Sequence, residues 1–265
     1  MIAIGLVLIV GLLVIVIPRS ADAPDGGEAV ERMVEVSLSG AALGPLMLTE
    51  SGLDADGHAL VTTSTVPLGW YAGVSYAVSD EALRAEPVVA LALERMLLAY
   101  TGTNATYTMP IVTGAYTVGT ASNGAYAGGY TIELSLMVPS GDEMVTVPLS
   151  GPLAATFRAW LLSHAAYYGF TVTGTGTLRY VGTPHAAYLF SQSVTLFDYV
   201  ALVKTKTQKT PLVIETGGVY YEIFFVEARN GAATVELPEG APFTVSGTNA
   251  GGFVVTVLRS AKQFP

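Results

Sequence analysis

From Val219 to the end, the chain alternates apolar and polar residues with a period of two, and this pattern constrains the fold more than any other feature of the sequence. VYYEIFFVEA (Val219–Ala228) is followed by Asn230-Gly231, then ATVEL (Ala233–Leu237), FTVSG (Phe243–Gly247) and FVVTVL (Phe253–Leu258). Successive strand residues point to opposite faces, so such alternation predicts half-buried strands. Asn-Gly favours the tight turn of a hairpin, since both central residues of that turn need a positive φ. A C-terminal all-β unit is therefore expected over residues 206–265, after the basic stretch KTKTQK (Lys204–Lys209), read as a linker.

Upstream the period changes. Pro87 suits the first turn of a helix, and VVALALERMLLAY (Val88–Tyr100) follows with apolar residues on nearly every side. Only Glu94 and Arg95 mark a wet side, which predicts a central helix. A second helix is predicted from Pro152, with Phe157, Trp160, Leu161, Ala165 and Tyr168 at helical spacing and Gly169 as its stop. A short helix is expected near Pro184. Another starts at Thr195, where Thr195-Leu-Phe-Asp198 has the spacing of a capping box. Short strands and turns are predicted elsewhere: VEVSLSG (Val34–Gly40), GPLMLTES (Gly44–Ser51), a turn at Asp54–Gly57, and a glycine- and tyrosine-rich strand region from Tyr107 to Val147.

Composition narrows the function. The 265 residues are 51% apolar, and 12 Lys+Arg against 21 Asp+Glu leave a net charge of −9. With no basic run to meet a phosphate backbone, nucleic acid is excluded as a partner. The absence of cysteine removes disulfides, thiolate metal sites and thiol nucleophiles. His58, His164 and His185 are the whole stock of imidazole, and their spacing does not pair any two as metal ligands. Ser140, Ser163 and Ser191 lack the glycine-flanked setting of a hydrolase nucleophile. Asn104-Ala-Thr106 matches a glycosylation sequon.

The N-terminus suggests a location. Ile2–Pro18 is apolar and uncharged; as a helix it would be about 25 Å long, a little under the hydrocarbon thickness of a bilayer. It reads as a membrane anchor (residues 1–20) or a signal peptide, with Ala21-Asp22-Ala23 resembling a cleavage site. Pro24 directly after that site favours the anchor. Residues 21–32 read as a polar tether, and the rest of the chain is expected at the extracytoplasmic face of a membrane, or secreted if cleavage occurs.

Four stretches resemble the zinc-dependent D,D-carboxypeptidases of the VanY type. WLLSHAAYYGF (Trp160–Phe170) is similar to a Trp-containing helix that ends in Tyr-Gly-Phe. LRYVGTPHAAYL (Leu178–Leu189) is similar to the segment that follows the family's Glu-Pro-Trp-His. SVTLFDYVALV (Ser193–Val203) is similar to the next helix, and VYYEIFFVEA with the later strands resembles a β appendage of some members. GPLMLTESG resembles the lead-in of such proteins. The resemblance implies an α+β fold, a small antiparallel sheet flanked by helices in residues 33–205, carrying zinc on the sheet. In the family that zinc is held by two His and one Asp, and a Glu serves as general base.

Carried over residue by residue, the pattern meets substitutions. Counting back from Leu178, the second ligand His falls on Thr177, the Trp on Gly176 and the Glu on Gly174. In GAYAGGYTIEL (Gly124–Leu134) the first His falls on Tyr126 and the Asp on Glu133. The family's substrate-gripping Arg has no equivalent in VTGAYT (Val112–Thr117), where Tyr116 is nearest. A neutral phenol and a threonine hydroxyl are poor zinc ligands, and one carboxylate does not hold a catalytic zinc.

The resemblance therefore implies a degenerate member with no zinc cofactor and no intact catalytic residue. Such a protein would act by binding peptidoglycan stem peptides or an envelope protein, with the membrane as a further partner through the N-terminal segment. Tyr116, Tyr126, Glu133, Arg179 and His185 are its candidate groove residues, and Tyr130 is either a groove residue or an ordinary strand residue. Arg179 is expected to pair with Glu133, with a peptide carboxylate or in a structural salt bridge. His185 is expected to make structural hydrogen bonds, His164 to sit at or near the surface, and His58 to be solvated. Two other readings stay open: an active D,D-carboxypeptidase with a substitute site, and a structural protein that works through its C-terminal β unit.

Overall fold

The computed structural model describes residues 32–39, 44–47, 64–103, 107–118, 126, 128–248 and 251–259. The predicted anchor, nearly all of the tether, the Asp54–Gly57 turn, His58 and the sequon at Asn104 lie outside these residues.

In chain order the elements are β1 (Met33–Ser39), β2 (Val66–Pro67), α1 (Gly69–Ala72), β3 (Ala77–Val78), β4 (Arg84–Ala85), α2 (Pro87–Thr103), β5 (Met109–Gly114), β6 (Thr131–Ser140) and β7 (Glu143–Pro148). They continue with α3 (Ala155–His164), β8 (Phe170–Val172), β9 (Thr177–Tyr180), α4 (Thr183–Gln192), α5 (Leu196–Val203), β10 (Leu212–Thr216), β11 (Val219–Glu227), β12 (Ala232–Pro238), β13 (Phe243–Gly247) and β14 (Gly252–Arg259).

The central sheet runs β3-β5-β6-β9-β8, with β7 also paired to β6. It is antiparallel except for β3, which runs parallel to β5, so the sheet is mixed where a purely antiparallel one was expected. One face carries Ile132, Leu134, Leu136, Val138 and Leu178, all buried against Leu93, Met96 and Leu97 of α2 and Phe157 and Leu161 of α3. Burying such side chains stabilises the domain by about 1.5–3 kcal/mol each. α2 leaves Leu91 and Leu98 exposed on the wet side that Glu94 and Arg95 mark, because it covers the sheet with one flank only.

The helix limits follow local chemistry. The segment from Pro152 begins and ends in single 3₁₀ turns, and stops at Gly169, whose φ of 85° lets its amide donate to the Ala165 and Ala166 carbonyls. Thr195 caps α5: its Oγ1 accepts from the Asp198 amide at 3.1 Å and donates to the Asp198 carboxylate at 2.7 Å. Asn230 and Gly231 take φ of 53° and 73°, the left-handed pair required by the predicted hairpin turn.

The C-terminal strands form a four-stranded antiparallel sheet, β10-β11-β14-β13. Its neighbour β12 pairs instead with β1, from Met33↔Pro238 to Ser39↔Ala232. VEVSLSG, placed by sequence order within residues 33–205, thus has its partner in the C-terminal part. KTKTQK is also not a free spacer: the Lys206 carbonyl accepts from the Phe225 amide, and Lys204 lies over the Phe225 ring at 5.5 Å.

Candidate functional site

The sheet face opposite α2 and α3 is polar. Alternation along β6 sends Thr131, Glu133 and Ser135 to it while Ile132 and Leu134 enter the core. The β5–β6 register shifts between Val112 and Gly114, a bulge that brings Gly114 opposite Glu133. A Cβ on Gly114 would lie 2.9 Å from both Glu133 Oε2 and Tyr126 Oη, so a larger residue there would push these two side-chain ends aside. The Tyr126 hydroxyl donates to Glu133 Oε2 at 2.8 Å. On the other side of Glu133, Thr177 of β9 is its direct cross-strand partner. Tyr126, Glu133 and Thr177, distant in sequence, form one cluster.

The cluster's donor set does not fit zinc. Tyr126 is a protonated phenol giving its hydrogen to Glu133, and Thr177 offers a neutral hydroxyl. Among the described residues no group of three or more His, Cys, Asp or Glu is placed to hold a metal ion. Gly174 lies in the β8–β9 turn, where Thr173 and Gly174 donate from their backbone amides to the Thr177 carbonyl.

The other candidate residues have different roles. Thr131, not Glu133, stands opposite Arg179. The buried guanidinium donates to the Met47 carbonyl at 2.8 Å and the Pro45 carbonyl at 3.4 Å. It thereby fastens the Gly44–Met47 turn, which Ser246 holds from the C-terminal sheet through a 2.9 Å bond from the Leu46 amide. His185 is buried and faces no groove: Nδ1 is 2.7 Å from Tyr199 Oη and Nε2 is 3.1 Å from Thr256 Oγ1. Burial pushes its pKa down to about 3, so the ring stays neutral and joins α4, α5 and β14. Tyr130 is also core, its hydroxyl pKa raised by burial. Tyr116 is half-buried, and its carbonyl accepts from the Arg84 amide at 2.8 Å. His164 stacks on Trp160 at 4.6 Å.

Sequence reasoning missed Glu86. Its carbonyl starts α2, its amide donates to Gly129, and its buried carboxylate accepts from Ser64 Oγ at 2.8 and 3.1 Å. Burial pushes that carboxyl above its usual range, against the Ser64 hydrogen bonds that lower it. Glu86 thus backs the turn that carries Tyr126, since the Gly129 amide donates to the Tyr126 carbonyl. Its place directly before Pro87 was the available signal.

With this geometry in view, the fold has a solved counterpart. The vancomycin-resistance D,D-dipeptidase VanXYg, crystallised with a D-Ala-D-Ala phosphinate analog, superposes with a TM-score of 0.64 at 20% identity. The superposition covers 86% of this chain and 100% of that one. The fold is that of VanXYg. Because 86% of the chain is more than residues 1–205 alone supply, the VanXYg likeness extends into the C-terminal part. The LdcB LD-carboxypeptidase, whose structure concerns peptidoglycan recognition, aligns with 54% of this chain and 80% of its own at a TM-score of 0.37 and 20% identity.

In sequence, the chain is 30% identical over 81 residues to a D-alanyl-D-alanine carboxypeptidase of Enterococcus faecium. That match covers 31% of this chain and 25% of the relative, so the chain spans a quarter of that protein's length. No family model matches the chain. Both likenesses are to D-Ala-D-Ala peptidases, and the VanXYg fold covers most of the chain.

Proposed function

We propose that this protein is a cell-envelope pseudo-peptidase: a D,D-peptidase scaffold that binds peptidoglycan stem peptides without zinc-dependent cleavage. The observation that carries the reading is the 2.8 Å bond from Tyr126 to Glu133 beside Thr177, at the three positions aligned with the family's metal ligands. The phenol occupies the carboxylate that a metal would need, and two neutral hydroxyl groups cannot replace two imidazoles. Catalysis would lack both the metal's Lewis acid and a general base, the latter alone typically worth about 10²–10⁴-fold.

Its support from relatives is the VanXYg fold and the partial identity to the Enterococcus faecium carboxypeptidase. The proposed location is the extracytoplasmic face of the membrane, held by Ile2–Pro18. Metal analysis of purified full-length protein, with incubation on a stem pentapeptide, tests the proposal. Expected are substoichiometric zinc and no released D-alanine. Tightly held zinc at one per chain, or chelator-sensitive release of D-alanine, overturns it.

A further inference from the structure

Three of the chain's four lysines, Lys204, Lys206 and Lys209, follow directly on α5 in a protein whose net charge is −9. Their backbone is fixed. The Lys206 amide donates to the Val203 carbonyl at 2.9 Å, and the Phe225 amide donates to the Lys206 carbonyl at 3.1 Å. Thr207 and Thr210 close the stretch, the Thr210 amide donating to the Thr207 carbonyl at 3.0 Å and the two hydroxyls meeting at 2.9 Å. Lys204 and Lys209 are exposed and Lys206 is half-buried, so one short, held segment carries three ammonium groups at the surface.

α5 sets an apolar stripe beside that charge. Tyr199, Val200 and Val203 bury one side of the helix. Phe197, Ala201 and Lys204, at i, i+4 and i+7, share the other side and are all exposed, Phe197 at 68%. Phe190, 55% exposed, lies near the end of α4, where the chain turns by 111° into α5. Asp198, the one acid on α5, is engaged by its cap residue Thr195. Exposed phenyl rings next to lysines suit the boundary of a bilayer: the rings enter the headgroup layer and the ammonium groups meet its phosphates.

The place of this surface in the fold points to its occupant. Gln208 donates through Nε2 to the Glu236 carbonyl of β12, and Glu236 is the register partner of Glu35 in β1. Arg32, three residues before Glu35, is fastened to the same strand end: its carbonyl accepts from the Glu239 amide at 2.7 Å, and its guanidinium lies 3.3 Å from the Glu239 carboxylate. The N-terminal segment therefore joins the described domain beside the lysine stretch. Thirteen residues separate Pro18 from Arg32, at most about 45 Å of chain. A bilayer that holds Ile2–Pro18 is within reach of this edge. Glu35 and Glu236 are exposed there as well and repel an anionic surface, so three lysines against two carboxylates need the phenyl rings to complete the contact.

We infer that Phe197 and the Lys204–Lys209 stretch form a docking face for an anionic bilayer, which holds the domain in one orientation against the membrane. The inference rests on the proposed anchor, because the short connection to Ile2–Pro18 supplies the proximity.

The lack of cysteine makes the test direct. Full-length protein carrying Ala201→Cys or, on the exposed β6–β7 turn of the central sheet, Asp142→Cys is labelled with an environment-sensitive fluorophore and reconstituted with vesicles of phosphatidylcholine, with or without phosphatidylglycerol. Flotation reports the anchor, and quenching by brominated lipid reports docking. Expected are flotation with both vesicles and quenching at residue 201 in the anionic ones, absent at residue 142 and lost at high salt. Lys206→Gln with Lys209→Gln is expected to lower the docked-to-free ratio about 25-fold, at about fivefold per lysine. Phe197→Ser is expected to lower it about 10-fold. Both leave flotation unchanged. Flotation without quenching at residue 201 overturns the docking face and leaves the anchor standing, whereas failure to float overturns both. Equal quenching at residues 201 and 142, or quenching unchanged in both variants, also overturns it. None of these readouts depends on zinc or on stem-peptide binding.

Discussion

Glu133 accepts a 2.8 Å hydrogen bond from Tyr126, and the bulge at Thr113 sets Gly114 beside the pair, where an added side chain would crowd both oxygens. Gly114→Ala brings a Cβ within 2.9 Å of both oxygens. The variant is expected to separate Tyr126 from Glu133 and to cost about 1–3 kcal/mol in denaturant unfolding, the usual range for overpacking. A variant as stable as wild type, with the Tyr126–Glu133 bond retained in its crystal structure, would show that the site is more pliable than its geometry implies.

The adjacency of Tyr126, Glu133 and Thr177 leads to a gain-of-function expectation. Tyr126→His, Glu133→Asp and Thr177→His together supply two imidazoles and a carboxylate from one cluster, a donor set suited to zinc. The triple variant is expected to retain about one zinc per chain through dialysis, and each single variant to retain none. If the triple variant holds no zinc by elemental analysis, the residue-by-residue correspondence with the family's ligands is wrong.

Buried His185 predicts a pH dependence. Its folded pKa, about 3, lies below the ordinary value of 6.5, so the unfolded chain binds the extra proton between the two. Stability is thus full above about 6.5 and is lost as pH falls toward 3, with a slope approaching about 1.4 kcal/mol per pH unit. Glu86 acts oppositely, since its raised carboxyl makes folding more favourable as pH falls through its own window above 4.5. Urea unfolding at pH 7 and 5 is expected to show a drop in wild type and a smaller drop in His185→Gln. Equal drops would mean that His185 does not titrate on unfolding. At pH 7 the substitution itself is expected to cost about 1–3 kcal/mol, because one of Tyr199 and Thr256 loses its partner.

Arg179 fastens the Gly44–Met47 turn through backbone carbonyls. Arg179→Leu removes a charged donor from two acceptors, and is expected to cost about 2–4 kcal/mol and to expose this segment to limited proteolysis. Arg179→Lys is expected to recover part of the loss, since one ammonium reaches fewer acceptors. Cleavage no faster than in wild type would show that Ser246 alone suffices to hold the turn.

Much of the local structure was legible from the chain. The helix from Pro87, the stop at Gly169, the cap at Thr195 and the Asn230-Gly231 turn each depend on residues within a few positions of one another, so period and capping chemistry reveal them. The positions of Tyr126, Glu133 and Thr177 were legible only through resemblance. The burial of His185, and the hold of Arg179 on Pro45 and Met47, were not legible, because neither residue carries a local sign of the partner it meets far along the chain.

By itself the sequence determined the alternation of strands and helices, the lack of thiol chemistry, and the poverty of metal ligands around Gly174–Thr177. These are properties of composition and of near neighbours, set before any long-range contact forms. Only the tertiary structure decided that β1 pairs with β12, that a bulge brings Gly114 beneath the Tyr126–Glu133 bond, and that Gly174–Gly176 forms one wall of a cavity facing Arg158. Register and pocket shape arise where distant segments pack, and there a backbone approach of a few ångströms, such as Gly176 on Leu134, decides which side chains meet.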